Sequence, residues 1–214
     1  MSAAAGIVGV LLAGGQSRRM GGGDKCLRRL GGETLLARSI ARARPQVATL
    51  VLNANGDPAR FAAFDLPVVA DVVPDFAGPL AGILTGMEWA TAQHPDARWL
   101  ASFATDAPFF PPDLVARLCA ACDAKRTGLA CAMSQGRTHP VFGLWSLDLH
   151  AALHRAVVEE GMRKIDAWTA RFPLAHVAFA ADPVDPFFNA NEPADLAAAE
   201  RLLPPSDTRA SIRP

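Results

Sequence analysis

Short apolar runs alternate with stretches of helical spacing along most of this chain. Ile7–Ala13, Thr49–Asn53, Pro67–Ala70, Trp99–Ala104, Leu129–Met133, Val141–Trp145 and His176–Phe179 read as strands. Between them, Leu36 and Ile40 stand four apart and predict a helix over Glu33–Ala43. Leu80, Ile83, Leu84 and Met87 mark a second helix from Pro79 to about Ala92. Pro111-Pro112-Asp113 opens a third, Leu149, Leu153 and Val157 mark a fourth, and Glu192–Leu203 forms the last. Strand and helix in alternation predict an α/β, Rossmann-like fold: three αβα layers around a mostly parallel sheet, joined by right-handed crossovers. No repeat or linker interrupts the pattern, so residues 1–203 read as one domain. The polar, proline-flanked tail 204–214 is expected to be disordered.

Open parallel sheets bind ligands outside the carboxyl ends of their strands. Three groups fall at such ends: the loop from Gly14 to Lys25, Asn53-Ala54-Asn55 with Asp71, and Thr105-Asp106-Ala107. The loop is the most informative. Five glycines occupy the ten positions Gly14 to Gly23, interleaved with Arg18 and Arg19 and followed by Lys25. Glycine lets backbone N–H groups approach an anion, and the cations neutralise it, so the loop is suited to a polyphosphate. It is neither G-x-G-x-x-G nor a Walker A sequence, which excludes both of those nucleotide motifs. Asp106 ends an apolar strand beside this loop and is placed to bind Mg2+.

Composition narrows the rest. Half of the 214 residues are hydrophobic, enough for a sizeable core, and 21 basic residues cancel 21 acidic ones. With no net field, no basic patch interleaved with aromatics and no tyrosine, nucleic acid is not an expected partner. No apolar run is long enough to span a membrane and no signal-peptide pattern opens the chain, so a cytoplasmic location with reduced thiols is expected. Cys119-Ala120-Ala121-Cys122 has the C-x-x-C spacing of a metal or redox half-site. However, Val115, Leu118, Cys119 and Cys122 share one helical stripe, and core packing is the expected role.

Residues Leu12-Ala13-Gly14-Gly15-Gln16-Ser17-Arg18-Arg19-Met20-Gly21-Gly22-Gly23-Asp24-Lys25 fit the nucleotidyltransferase signature L-A-G-G-x-S-x-R-M-G-x-x-D-K. Thr105-Asp106-Ala107-Pro108, Gly78-Pro79-Leu80-Ala81-Gly82, Arg137-Thr138-His139-Pro140-Val141 and Asn189-Ala190-Asn191-Glu192-Pro193-Ala194-Asp195-Leu196 supply further matches. On these segments, from about Val10 to about Leu203, the chain resembles the MobA-like family of molybdenum cofactor guanylyltransferases. The resemblance implies a nucleotidyltransferase fold, GTP and molybdopterin as substrates, and Mg2+ as cofactor. It also implies transient contacts with cofactor-biosynthesis or acceptor proteins.

Carried over residue by residue, it implies that Lys25 and Arg19 meet the phosphates and that Asp106 holds the metal. Leu12, Ala13, Gly14 and Gly15 would contact GTP through the backbone, with Asn53 and Asp71 on the guanosine side. The N-terminal half would thus hold GTP and Mg2+, and the C-terminal half molybdopterin. His139, Asn189 and Asn191 are the candidates on the molybdopterin side. His139 reads equally as a buried histidine bonded to backbone, and the asparagines read equally as helix caps or metal neighbours. Gly161-Met162-Arg163-Lys164 adds two cations on a turn before a helix. No serine or cysteine is placed to form a covalent intermediate. The loop departs from the family pattern only in its triple glycine. Three alternatives stay open. Cytidylyltransferases of the same pterin carry Ala-Ala-Gly and Asn-Lys where this chain has Ala13-Gly14-Gly15 and Asp24-Lys25. Sugar-nucleotide pyrophosphorylases share the glycine-arginine loop but are larger. A catalytically silent nucleotide-binding regulator would not need Lys25 and Asp106.

Overall fold

The computed structural model describes residues 6–14, 24–73, 78–182, 184–190 and 192–203. Gly15, Arg19 and Asn191, with the tail 204–214, lie outside the described residues.

The centre is a seven-stranded sheet. Its strands are β1 (Ile7–Leu12), β4 (Thr49–Asn53), β5 (Val68–Val69), β6 (Trp99–Ala104), β7 (Leu129–Ser134), β8 (Arg137–Ser146) and β9 (Ala175–Ala178). They lie in the order β5-β4-β1-β6-β8-β7-β9. All neighbours pair in parallel except β8, which is antiparallel to both β6 and β7. A separate two-stranded ribbon pairs β2 (Arg29–Leu30) with β3 (Glu33–Thr34).

The helices are α1 (Leu35–Ala43), α2 (Pro79–Gln93), α3 (Leu114–Lys125), α4 (His150–His154), α5 (Ile165–Thr169) and α6 (Pro193–Glu200). Residues alternate between two cores, as strands covered on both faces require. Ile7 and Leu11 pack with Leu36 of α1 and Leu114, Val115 and Leu118 of α3. Val8 and Val10 pack with Leu80, Ile83, Leu84 and Met87 of α2, Leu153 of α4 and Trp168 of α5. These two cores make the three αβα layers. A third cluster joins Leu30 and Leu35 to Ala190 and Ala199, fixing the C-terminal segment against the ribbon.

Three details differ from the pattern-based expectation. The strand expected over Val141–Trp145 begins at Arg137 and runs antiparallel. Gln135 and Gly136, at φ 48° and 75°, form the tight hairpin turn that reverses the chain there. Glu33 and Thr34 belong to the ribbon rather than to α1, because Gly31 and Gly32 also take positive φ and turn the chain just before them. Thr34 then caps α1, its Oγ1 accepting from Ala37 N at 3.0 Å. The helix expected through Val157 ends as α4 at His154 and widens into a π turn over Arg155–Glu159.

Candidate nucleotide-binding site

The register of the sheet sets the site. Leu12, the last residue of β1, lies opposite Asn53 on β4 and Ala104 on β6. Three adjacent parallel strands therefore stop level with one another, and the segments that follow them meet at one edge. Ala13 N donates to Asn53 O at 2.9 Å and Thr105 Oγ1 donates to Leu12 O at 3.0 Å, which clamps the start of the glycine loop between its neighbours. Among the described residues, nothing lies within 4 Å of where a Gly14 Cβ would stand.

Lys25 and Asp106 are brought together, with Lys25 Nζ 2.6 Å from Asp106 Oδ2. Their side chains are 14% and 28% exposed, so the pair sits in a half-open recess. Lys25 opens a short 3-10 turn (Lys25–Leu27) anchored by buried Cys26. Asp106 is held from the far end of the chain, because Ala190 N donates to its carbonyl at 2.8 Å. Asn189, exposed, is thereby seated beside Asp106.

A second group forms where β4 and β5 end. Asn53 is buried at 3% exposure, and its Nδ2 donates to Asp71 Oδ1 at 2.9 Å. Asn55 Nδ2 donates to Asp71 Oδ2 at 2.8 Å and Asn55 Oδ1 accepts from Asp71 N at 2.8 Å. Among the described residues each Asp71 oxygen thus receives one side-chain amide, and a carboxylate oxygen has a second lone pair to offer. Helix α2 crosses over this group at Gly82. A Cβ there would overlap the Asn53 amide oxygen and come within 2.8 Å of Leu12 Cδ2. Only glycine lets the helix lie this close.

His139 sits apart from both groups, on β8. Cys131 pairs with Gly143 but Ala132 pairs with His139, so three residues of β8 bulge between them. Buried Ser102 secures the bulge, donating to Val141 O at 2.6 Å and accepting from Trp145 Nε1 at 2.8 Å. The His139 ring stacks on Phe187 with centroids 4.6 Å apart. Its Nε2 lies 2.7 Å from Ser134 Oγ, which donates its own proton to Asp185 Oδ1 at 2.9 Å. A hydroxyl has one proton, so His139 Nε2 is the donor and Nδ1 is left as an acceptor while the ring is neutral. Burial pushes the imidazole below its ordinary value; Asp185 opposes this and Arg137 reinforces it. The expected alternative of a histidine bonded to backbone is therefore replaced by a side-chain relay. Gly161-Met162-Arg163-Lys164 does precede a helix, α5, and Arg163 O lies 3.7 Å from where a Gly78 Cβ would stand, at the start of α2.

Cys122 is buried and Cys119 half-buried, and all four cysteines are free thiols. Burial raises both thiols of the C-x-x-C pair, that of Cys122 to about 12. Among the described residues no three His, Cys, Asp or Glu side chains gather as a metal cage. No helix among them is long and apolar enough to cross a membrane. Arg60, Ser134 and Asp185 join these groups without any motif marking them in the sequence, whereas Thr105 stands in the strand-end group Thr105-Asp106-Ala107.

A glycine-rich sequence follows β1, a lysine–carboxylate pair stands beside that strand end and an amide–carboxylate group at the next, and together they make up the candidate site of a nucleotidyltransferase. Residues 9–173 match the family model described as the MobA-like NTP transferase domain, and the chain belongs to that family. A relative from Bradyrhizobium sp. (strain ORS 278), named molybdenum cofactor guanylyltransferase, is 57% identical over 94% of this chain and 95% of its own. A second of the same name, from Nitrobacter hamburgensis (strain DSM 10229 / NCIMB 13809 / X14), is 55% identical over 91% of this chain and 93% of its own. In fold, the chain is similar to molybdopterin-guanine dinucleotide biosynthesis protein A from Archaeoglobus fulgidus. That match has a TM-score of 0.70 at 22% identity and covers 91% of this chain and 97% of the other.

Proposed function

We propose that this protein is a molybdenum cofactor guanylyltransferase, transferring GMP from GTP to molybdopterin. A terminal phosphate oxygen of the pterin attacks the α-phosphorus of GTP, the bond to the bridging β-oxygen breaks, and pyrophosphate leaves. The observation that carries the reading is the convergence of Lys25–Asp106 and Asn53–Asp71 on either side of the Leu12–Gly14 strand end. One group suits phosphates and metal, and the other suits a base. The names of the relatives supply the identity of the nucleotide and acceptor.

Each residue then has a chemical task. Lys25 supplies positive charge where negative charge develops on the leaving pyrophosphate, with Arg19 proposed beside it. The second lone pairs of the Asp71 oxygens suit guanine N1–H and the 2-amino group, and the amide of Asn53 holds that carboxylate in place. Backbone groups of Leu12, Ala13, Gly14 and Gly15 complete the cradle. A single half-exposed carboxylate at a strand end fits Mg2+, which takes one or two protein carboxylates and fills its sphere with water and substrate phosphate. Asp106 would hold it, and when bound the ion neutralises phosphate charge. The ammonium of Lys25 occupies that carboxylate in the structure, so nucleotide and metal loading exchanges one ion pair for another. His139, Asn189 and Asn191 are proposed to face molybdopterin, with the neutral His139 Nδ1 accepting a hydrogen bond from a pterin donor.

Isothermal titration with GTP and with CTP, each with Mg2+, tests the reading. GTP is expected to bind at least about tenfold more tightly than CTP, a difference of about 1.4 kcal/mol. Equal or tighter CTP binding would instead support a cytidylyltransferase, and binding of neither would remove the enzyme assignment.

A further inference from the structure

We infer that Arg60 is a positioning residue that ties the phosphate side of the site to its base side. The inference rests on the nucleotide-binding reading above. Arg60 lies in the 3-10 turn Pro58–Phe64, between Asn55 and Asp71 and outside the matched motif segments. Its Nε is 2.7 Å from Asp24 Oδ2, and Asp24 directly precedes Lys25 at the exit of the glycine loop. Its Nη2 donates to the backbone carbonyl of Asn55, whose side chain makes the two bonds to Asp71. One planar guanidinium therefore joins Asp24 to Asn55. Through them it joins the Lys25–Asp106 pair to the Asp71–Asn53 pair.

The local fold is arranged for this reach. Gly56 takes φ +87°, and a Cβ there would stand 2.8 Å from Arg60 Nη1, so the turn closes directly against the guanidinium. Asp57 caps the 3-10 turn, its Oδ1 accepting from Ala59 N at 2.9 Å. The Arg60 guanidinium carbon lies 4.8 Å from the ring centre of Phe61, which is buried at 1% exposure and gives the cation a fixed floor. A guanidinium offers two donors in a rigid fork, which a lysine ammonium cannot reproduce. Placed this way, the base side and the Lys25 side are held in one register, so the triphosphate chain is presented to Lys25 and Asp106 only when the base is seated.

The experiment is a double-mutant cycle on GTP affinity with Mg2+, using the full chain, titration calorimetry and thermal unfolding of each variant. Arg60→Gln and Asp24→Asn are each expected to weaken GTP binding about tenfold, with the double variant no weaker than either. Arg60→Lys is expected to recover part of the loss, and unfolding midpoints to stay near wild type. An Arg60→Gln affinity within about twofold of wild type overturns the inference, as do losses that multiply in the double variant. Should Arg60→Gln fail to fold, Asp24→Asn reads the same bond from the loop side, and an unchanged affinity there overturns it. A wild-type protein that binds no nucleotide overturns the nucleotide-binding reading and this inference together. Wild-type binding with silent variants overturns this inference alone.

Discussion

Gly82→Ala puts a methyl group where α2 touches the nucleotide end of the sheet. It overlaps the amide oxygen of Asn53 and comes within 2.8 Å of Leu12 Cδ2. Alanine in a helix interior gains about 1 kcal/mol over glycine. Against that stand overpacking, about 1–3 kcal/mol, and the Asn53–Asp71 hydrogen bond, about 1.5–3 kcal/mol because its acceptor is charged. Since Asn53 is only 3% exposed, a displaced amide finds no water to replace that partner. The net destabilisation is on the order of 1.5–5 kcal/mol, a fall of roughly 3–20 °C in unfolding midpoint for a chain of this size. GTP affinity is expected to drop at least about tenfold if Asn53 and Asp71 face the base. Gly86→Ala is the internal control, one helical turn along the same face. Its Cβ would meet Val10 Cβ and Cγ1 at 3.0 Å and Leu100 Cδ2 at 3.1 Å, all apolar and all away from the site. It should cost some stability and leave GTP affinity within about twofold of wild type. The assay is thermal unfolding of both variants beside GTP titration. A Gly82→Ala protein that binds GTP as wild type does would refute the placement of Asn53 at the base.

Two further outcomes follow from the buried polar and thiol groups. Ser134→Ala strips a hydrogen-bond partner from both His139 and Asp185 and should cost about 1–3 kcal/mol in denaturant unfolding. It should also raise the KM for molybdopterin while GTP affinity holds, and an equal change in both substrates would contradict a role on the acceptor side. At alkaline pH, burial holds the folded thiols of Cys26 and Cys122 at about 12 and that of Cys131 at about 11, against an ordinary 9.0. The unfolded chain sheds these protons from about pH 9 while the folded chain keeps them. Stability present below pH 9 is therefore lost as pH rises across that window, by about 1.4 kcal/mol per pH unit per thiol. Tyrosine is absent, so no phenol shares the slope. Urea unfolding between pH 8 and 10.5 should show Cys26→Ala losing stability less steeply than wild type, and identical slopes would refute the burial argument.

The parts of the fold that follow local pattern were legible in the sequence. The apolar runs Thr49–Asn53 and Trp99–Ala104 are strands with those bounds, because both faces are covered and the one polar residue inside them, Ser102, is bonded across the sheet. The reversal of β8 was not legible from apolar content, since antiparallel and parallel buried strands have the same composition. Only the Gln135-Gly136 turn distinguishes them. The three-residue bulge that aims His139 depends on Ser102, a contact across the sheet that no spacing rule reports. In the site, the glycine loop and Asp106 announce themselves because each follows an apolar strand directly. Arg60 does not: one arginine in a short turn resembles any solvated arginine until folding brings it to Asp24. The same holds for Asp185, which reaches Ser134 across 51 residues of chain.

The central claim is tested most directly by incubating the protein with molybdopterin, Mg2+ and GTP labelled at the α-phosphate, then resolving the products by chromatography and mass. Label is predicted to appear in a molybdopterin guanine dinucleotide with one pyrophosphate released per transfer. CTP should give little product, and Lys25→Ala and Asp106→Asn should each lower turnover by about a hundredfold or more. A cytosine dinucleotide formed in preference, or no labelled pterin from a protein that binds GTP, would contradict the account.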